Sequence, residues 1–270
     1  MKIIVCMKLV PDPEGPQDSF RVDPAERRVV VTGLPPVANP YDENALEAAI
    51  RIKESLARAN GESHPASITL LSMGRSLSRA VLLKALAAGA DDSVLVEGDE
   101  LDAQRLDSFT SATVLAAAIR GLEFDLILAG RQASDTNSGQ VGPGIARLLG
   151  IPAVTVARKV EVSGDSVLVE RVLPDGYELV EAPLPALVTV SHEVGDLRYP
   201  ALAAIKAAKR LPRMERSPSD LGVEIASLGV VERVGLAAPS RERKCAMVSG
   251  ETPREAGERL AERLHADRVL

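Results

Sequence analysis

Between an apolar run and a helical pattern, the chain sets Gly130 and then Ser134, Asp135, Thr136, Asn137, Ser138 and Gly139, a polar stretch with almost no side-chain bulk. Gln140, Val141, Gly142 and Pro143 follow and lead into a helix whose first turn suits proline. The chemistry open to such a loop is anion binding. A helix start leaves backbone N–H groups unpaired and carries partial positive charge, and small residues let a phosphate come close to both. Gly139, Gly142 and Gly144 follow neither the GxGxxG fingerprint nor the Walker pattern with its lysine and hydroxyl, so this is not a standard dinucleotide or ATP-hydrolysis loop. The same composition also suits a turn that only joins a strand to a helix.

Other chemistries find less support. Asp135, Ser138 and His192 contain the elements of a nucleophilic triad, but Ser138 lacks the GxSxG elbow and nothing in the spacing gives His192 a partner. Cys6 and Cys245 lie far apart with no CxxC pair, which leaves no thiolate set for zinc or an iron–sulfur cluster. Cys6 alternates within a strand-like run and is expected as a small buried hydrophobe. His64, His192 and His265 have no ligand spacing, so no metal site is expected.

The elements that must position the loop are those of an ordinary globular protein. The chain has 270 residues, 46% of them hydrophobic and 26% charged, enough to bury a substantial core. A net charge of −6 disfavours a nucleic-acid surface. No apolar run reaches the roughly 18 residues of a membrane span, and "MKIIVCMKLVPDP" lacks the features of a secretory signal, so a cytoplasmic location is expected. Lys206, Lys209, Arg210, Arg213 and Arg216 cluster in "KAAKRLPRMER", either the solvated face and end of a helix or a docking patch for an acidic partner.

Short apolar runs at "KIIVCMKLV", "SITLLSM", "SVLVE" and "FDLILAG" alternate with amphipathic helices. Asn39 is placed to cap the first helix, with Pro40 in its first turn, Asp42 and Glu43 favoured by its dipole, and Leu46, Ala49, Ile50 and Leu56 on one face. Gly89 and Gly121 close the next two helices. Strand then helix, repeated with near-continuously apolar strands, predicts an α/β fold with a mainly parallel sheet covered on both faces. Beyond Pro152, "VTVARKVEV" and "DSVLVERVL" meet at an "SGD" hairpin, and "YELVEA" and "ALVTVS" follow; these strands extend the sheet or form a smaller antiparallel layer beside it. A helix over about 200–210 comes next. From Leu211 the chain is poor in apolar runs and ends in "ETPREAGERLAERL", where Thr252 caps and Pro253 opens an amphipathic helix that needs a surface, its own domain's or another subunit's. This divides the chain into a body over 1–210 and an extension over 211–270.

Five stretches, "NPYDENALEAAIRIKE", "ALAAGADDSVLVE", "LAGRQASDTNSGQVGP", "DLRYPALAAIKAAKR" and "SGETPREAGERLAERL", occur in the order and spacing of the β subunits of electron transfer flavoproteins. The resemblance runs over almost the whole chain. It implies an adenine-nucleotide alpha-hydrolase-like domain with added antiparallel strands and a C-terminal arm clamped on an α subunit. It implies a heterodimeric carrier without bond chemistry of its own, in which FAD, held mainly by the α subunit at the interface, takes electrons from dehydrogenases to a quinone reductase or other acceptor.

By the same resemblance a β-subunit pocket holds AMP as a structural ligand or, in bifurcating members, a second, redox-active FAD. The nucleotide is then expected to touch Cys6, the run Asn39, Pro40, Tyr41 and Asp42, Met73, and the loop Gly130, Arg131, Gln132, Ala133, Ser134, Asp135, Thr136, Asn137, Ser138, Gly139, Gln140 and Val141. Backbone N–H groups from about Asn137 to Val141 take its phosphate, and Asp135 and its neighbours fix the loop or meet the ribose. The segment 191–210 resembles the family's partner-recognition loop, with Leu202 as the anchor, Arg198 and Tyr199 beside it, and Lys206, Lys209 and Arg210 steering an acidic partner. Ala203 and Ala207 depart from the family's proline and lysine there, which leaves open a donor other than an acyl-CoA dehydrogenase. An adenine-nucleotide sensor without electron transfer shares the expected architecture. A pyrophosphatase-type synthetase lacks its phosphate signature and metal-holding acids here.

Overall fold

A computed structural model describes residues 1–61, 66–239 and 245–269. Residues 1–236 form one compact unit and 237–270 a second. In chain order the strands are β1 (Lys2–Cys6), β2 (Leu9–Pro11), β3 (Phe20–Asp23), β4 (Arg28–Val31), β5 (Pro36–Ala38), β6 (Ser67–Gly74), β7 (Asp92–Glu97), β8 (Leu126–Gly130), β9 (Ala153–Ser163), β10 (Ser166–Leu173), β11 (Gly176–Pro183), β12 (Ala186–Val190) and β13 (Arg213–Arg216). The helices are α1 (Pro40–Asn60), α2 (Arg79–Ala88), α3 (Ser108–Arg120), α4 (Val141–Leu149), α5 (Leu202–Ala208) and α6 (Pro253–Ala266).

Nine of these strands form one sheet in the order β11-β10-β9-β12-β8-β1-β6-β7-β13. Pairing is parallel from β9 to β13 and antiparallel where β10 and β11 extend the β9 edge. Of the two arrangements open for the later strands, extension of the sheet is the one found. Strands β2 and β5 pair separately, as do β3 and β4.

At the centre of the sheet, in β12, β8, β1 and β7, both faces are buried, which is why these strands are apolar without alternation. Ile3 and Val5 of β1, with Leu126 and Leu128 of β8, face a core completed by Ala45, Leu46 and Ala49 of α1 and by Leu82 of α2. Ile4, Cys6 and Ile127 face the opposite core, with Val114, Ala116 and Ile119 of α3 and Ile145 of α4. Thus α1 and α2 cover one face and α3 and α4 the other.

The chain steps from β1 outward to β6 and β7, then returns to place β8 on the other side of β1. That reversal opens a crevice between the carboxyl ends of β1 and β8, where open α/β sheets hold ligands. Strand β13, which follows the 210/211 division expected from composition, pairs in parallel with β7 and belongs to the first unit.

In the second unit, Thr252 caps α6 by accepting the Glu255 N–H at 3.2 Å, and Arg254–Glu258 and Arg263–Asp267 pairs line its surface. No helix among the described residues is long and apolar enough to cross a membrane.

Candidate functional site

A cavity of about 440 Å³ lies at the β1/β8 crevice, within the size range of small-molecule sites. Its floor comes from strand ends: Cys6, then Met7 and Lys8 after β1, Met73 of β6, and Ala129 and Gly130 of β8. Leu101, Leu106, Phe109 and Leu115 make an apolar wall, and the loop from Gly130 to α4 makes a polar one.

The first turn of α1 ties these strand ends together. Asp42 accepts the Lys8 N–H at 2.7 Å on one oxygen and the Gly130 N–H at 2.9 Å on the other. Burial pushes this carboxyl up to about 6, against the lowering effect of those hydrogen bonds. Asn39 occupies the N-cap position of α1 but makes no side-chain cap, contrary to the capping role expected of it. Its amide instead donates to the Gln132 carbonyl at 2.9 Å and accepts the Ser134 N–H at 3.1 Å, because the adjacent loop offers both partners. Burial, reinforced by the Asp42 charge, pushes the Cys6 thiol up to about 12, so Cys6 is an apolar part of the floor.

At the loop's far end, Asn137 and Gly139 both take left-handed backbone conformations, with φ of 52° and 63°. The Asn137 N–H closes a turn on the Ala133 carbonyl at 2.8 Å, so the row of available donors starts one residue later than expected. Among the described residues, the N–H groups of Ser138, Gly139, Gln140 and Val141 have no hydrogen-bond acceptor. No side chain caps α4. These donors border the cavity, beside Lys8 and Arg131. The arrangement suits an anion at the polar end and a flat apolar group between the other walls.

Thirteen of the sequence-assigned residues line this cavity: Cys6, Asn39, Asp42, Met73, Gly130, Arg131, Gln132, Ala133, Thr136, Ser138, Gly139, Gln140 and Val141. Pro40, Tyr41, Ser134, Asp135 and Asn137 do not. Tyr41 lies under the Arg131 guanidinium, 5.2 Å from ring centre to Cζ, and Asp135 accepts from Lys8 Nζ at 2.7 Å. Asn137 accepts from Gln132 Nε2 at 2.9 Å, and Pro40 opens α1.

The triad elements do not meet. Ser138 accepts from the Ser108 hydroxyl at 3.2 Å, Asp135 binds Lys8, and His192 lies beside Glu193. No cluster of three or more metal-ligating side chains occurs among the described residues; His64 lies outside them.

Sequence reasoning passed over Asp107, Val230 and Val231. Asp107 caps α3 by accepting the Thr110 N–H at 2.7 Å, and its other oxygen accepts from Val230 at 2.9 Å and Val231 at 3.1 Å. Both valines join the cavity wall. An aspartate directly before "SFTSATVL" is a cap signature that could have been read. Nothing in the sequence brings the valines back to it from 123 and 124 residues away.

On the 191–210 segment, Tyr199 and Leu202 are 91% and 80% exposed. Lys206, Lys209 and Arg210 are exposed as well. Arg198 differs from its neighbours, since its guanidinium turns inward to Glu47 and Glu54.

Residues 28–221 match the electron transfer flavoprotein domain. Over 275 aligned positions that cover both chains completely, the sequence is 36% identical to the electron transfer flavoprotein subunit beta of Thermoanaerobacterium thermosaccharolyticum. The subunit of the same name from Megasphaera elsdenii is 39% identical over 78% of this chain and 76% of its own. Protein FixA of Bradyrhizobium diazoefficiens is 36% identical over 95% of this chain and 89% of its own. A family domain spanning most of the sequence, with full-length relatives in the same order, places the chain in the electron transfer flavoprotein β-subunit family.

Proposed function

We propose that this chain pairs with an α subunit that carries FAD, and that its own cavity holds an adenine nucleotide, AMP or a second FAD, in an adenine-nucleotide alpha-hydrolase-like domain. The observation that carries the reading is the row of open N–H groups from Ser138 to Val141 at the β1/β8 reversal, next to an apolar wall. In this reading the amides and Lys8 bind the phosphate, Asp42 and Asn39 hold the strand ends and the loop in register, and Leu101, Phe109 and Leu115 exclude water from the base. FAD, when bound to the heterodimer, supplies the one- and two-electron chemistry; this chain orients and docks. The amphipathic α6 supports an arm that packs on the α subunit, and exposed Leu202 supports docking of a donor dehydrogenase.

The test is mass spectrometry of the small molecules released when the purified heterodimer is denatured. The expected result is FAD plus one further adenine nucleotide per β chain, either AMP or a second equivalent of FAD. Release of a single FAD and no other nucleotide overturns the cavity assignment. A stable, nucleotide-responsive homodimer that binds no α subunit would make the chain a sensor instead.

A further inference from the structure

From Gly195 to Ala201 the backbone is neither helix nor strand, yet it is gripped from beneath. Asn44 Nδ2 donates to the Gly195 carbonyl at 2.7 Å, and Arg51 Nη1 donates to the Val194 carbonyl at 2.7 Å. The Arg198 N–H donates to Glu47 Oε2 at 3.2 Å, and its guanidinium forks onto both Glu47 oxygens at 3.0 Å each. The same guanidinium also bonds Glu54. Asn44, Glu47, Arg51 and Glu54 recur at helical spacing and so form one stripe along α1.

Glu47 is only 4% exposed. Burial alone would raise its carboxyl, but the hydrogen bonds from Arg198 and Arg51 outweigh that and hold it below the usual range. A buried carboxylate with a forked guanidinium is rigid, since two parallel charge-assisted hydrogen bonds fix the relative orientation of both groups. Immediately after this clamp come Tyr199 and Leu202, the most exposed large apolar groups of the segment. An anchor ordered before encounter avoids much of the entropic cost of ordering on binding.

We infer that Arg198 is a positioning residue for partner docking: through Glu47 and Glu54 it fixes the backbone that presents Tyr199 and Leu202 to an apolar pocket on the donor, and it does not itself meet the donor. The inference rests on the docking role proposed for Leu202.

Hydrogen–deuterium exchange of the intact heterodimer tests it without a donor. Glu47→Ala and Arg198→Lys should each speed exchange in 195–202 by roughly tenfold, the scale of one lost charge-assisted hydrogen bond, while peptides of the cavity loop stay unchanged. The double variant should be no faster than the single ones, as expected for residues acting as one unit. Glu47→Gln provides a milder variant should Glu47→Ala fold poorly. Wild-type exchange in these variants, or additive effects in the double, overturns the inference.

A second measurement uses the dehydrogenase that reduces the wild-type heterodimer. Glu47→Gln, Arg198→Lys and Leu202→Ala should all raise KM for that dehydrogenase at unchanged kcat, and Leu202→Ala should do so with wild-type exchange. An unchanged KM in Leu202→Ala alone sinks the docking role; an unchanged KM in the Glu47 and Arg198 variants, with Leu202→Ala impaired, sinks the positioning role.

Discussion

Gly130 and Asp42 are separated by 88 residues, yet the Gly130 N–H donates to Asp42 Oδ1 at 2.9 Å, and a Cβ added to Gly130 would lie 2.5 Å from that same oxygen. It would also lie 2.7 Å from the Tyr41 backbone carbon, so relief requires the first turn of α1 to move. Gly130→Ala should therefore cost roughly 1–3 kcal/mol of stability and lower nucleotide content, because the cavity floor spreads. Urea unfolding of the heterodimer checks the first effect; an unchanged midpoint would mean that α1 is not held at this point.

Asp42 also gives a pH dependence. Its carboxyl is raised from 3.8 to about 6 in the folded chain, chiefly by burial. The folded state therefore holds the proton more tightly than the unfolded one. The resulting stability is fully present below pH 4 and is lost as pH rises through about 6, a change of roughly 3 kcal/mol at most. Asp42→Asn cannot titrate. The stability of wild type minus that of Asp42→Asn should fall between pH 4 and pH 7, and a constant difference in denaturant unfolding would show that the group does not titrate as described.

The parallel sheet was legible because burial on both faces leaves runs such as "KIIVC" and "LILAG" apolar, and the β9–β10 hairpin was legible from its turn. Strand β13 was not, since "RMER" is exposed throughout and is a strand only through its pairing with β7. Asn39 shows the limit at the site: its position was readable, but a loop 93 residues away set where its side chain points. Local chemistry marked the cavity's polar end, whereas the Val230–Val231 wall depends on contacts that no local pattern encodes.

Gly139 tests the phosphate end. Its φ of 63° costs a β-branched residue roughly 1–2 kcal/mol, and an added Cβ would sit 3.4 Å from the Arg131 carbonyl oxygen. The loop would have to rearrange where the open N–H groups converge. Gly139→Val should yield a folded chain from which denaturation releases little adenine nucleotide. Wild-type nucleotide content in that variant would place the phosphate elsewhere.

Asp107 separates two roles within one side chain. Oδ1 caps α3 through Thr110, and Oδ2 holds the Val230 and Val231 N–H groups against the cavity. In Asp107→Asn the remaining oxygen can keep the cap, since asparagine caps as well as aspartate, while the new amide opposes two N–H donors with a third. The strap should loosen and bound nucleotide should exchange roughly tenfold faster, the equivalent of one hydrogen bond, with little change in helix stability. Asp107→Ala should add the loss of the cap, about 1 kcal/mol in unfolding. Exchange of bound nucleotide against labelled nucleotide measures the first effect. If Asp107→Asn releases nucleotide at the wild-type rate while Asp107→Ala is destabilised, the carboxylate only caps α3 and the two valines do not retain the ligand.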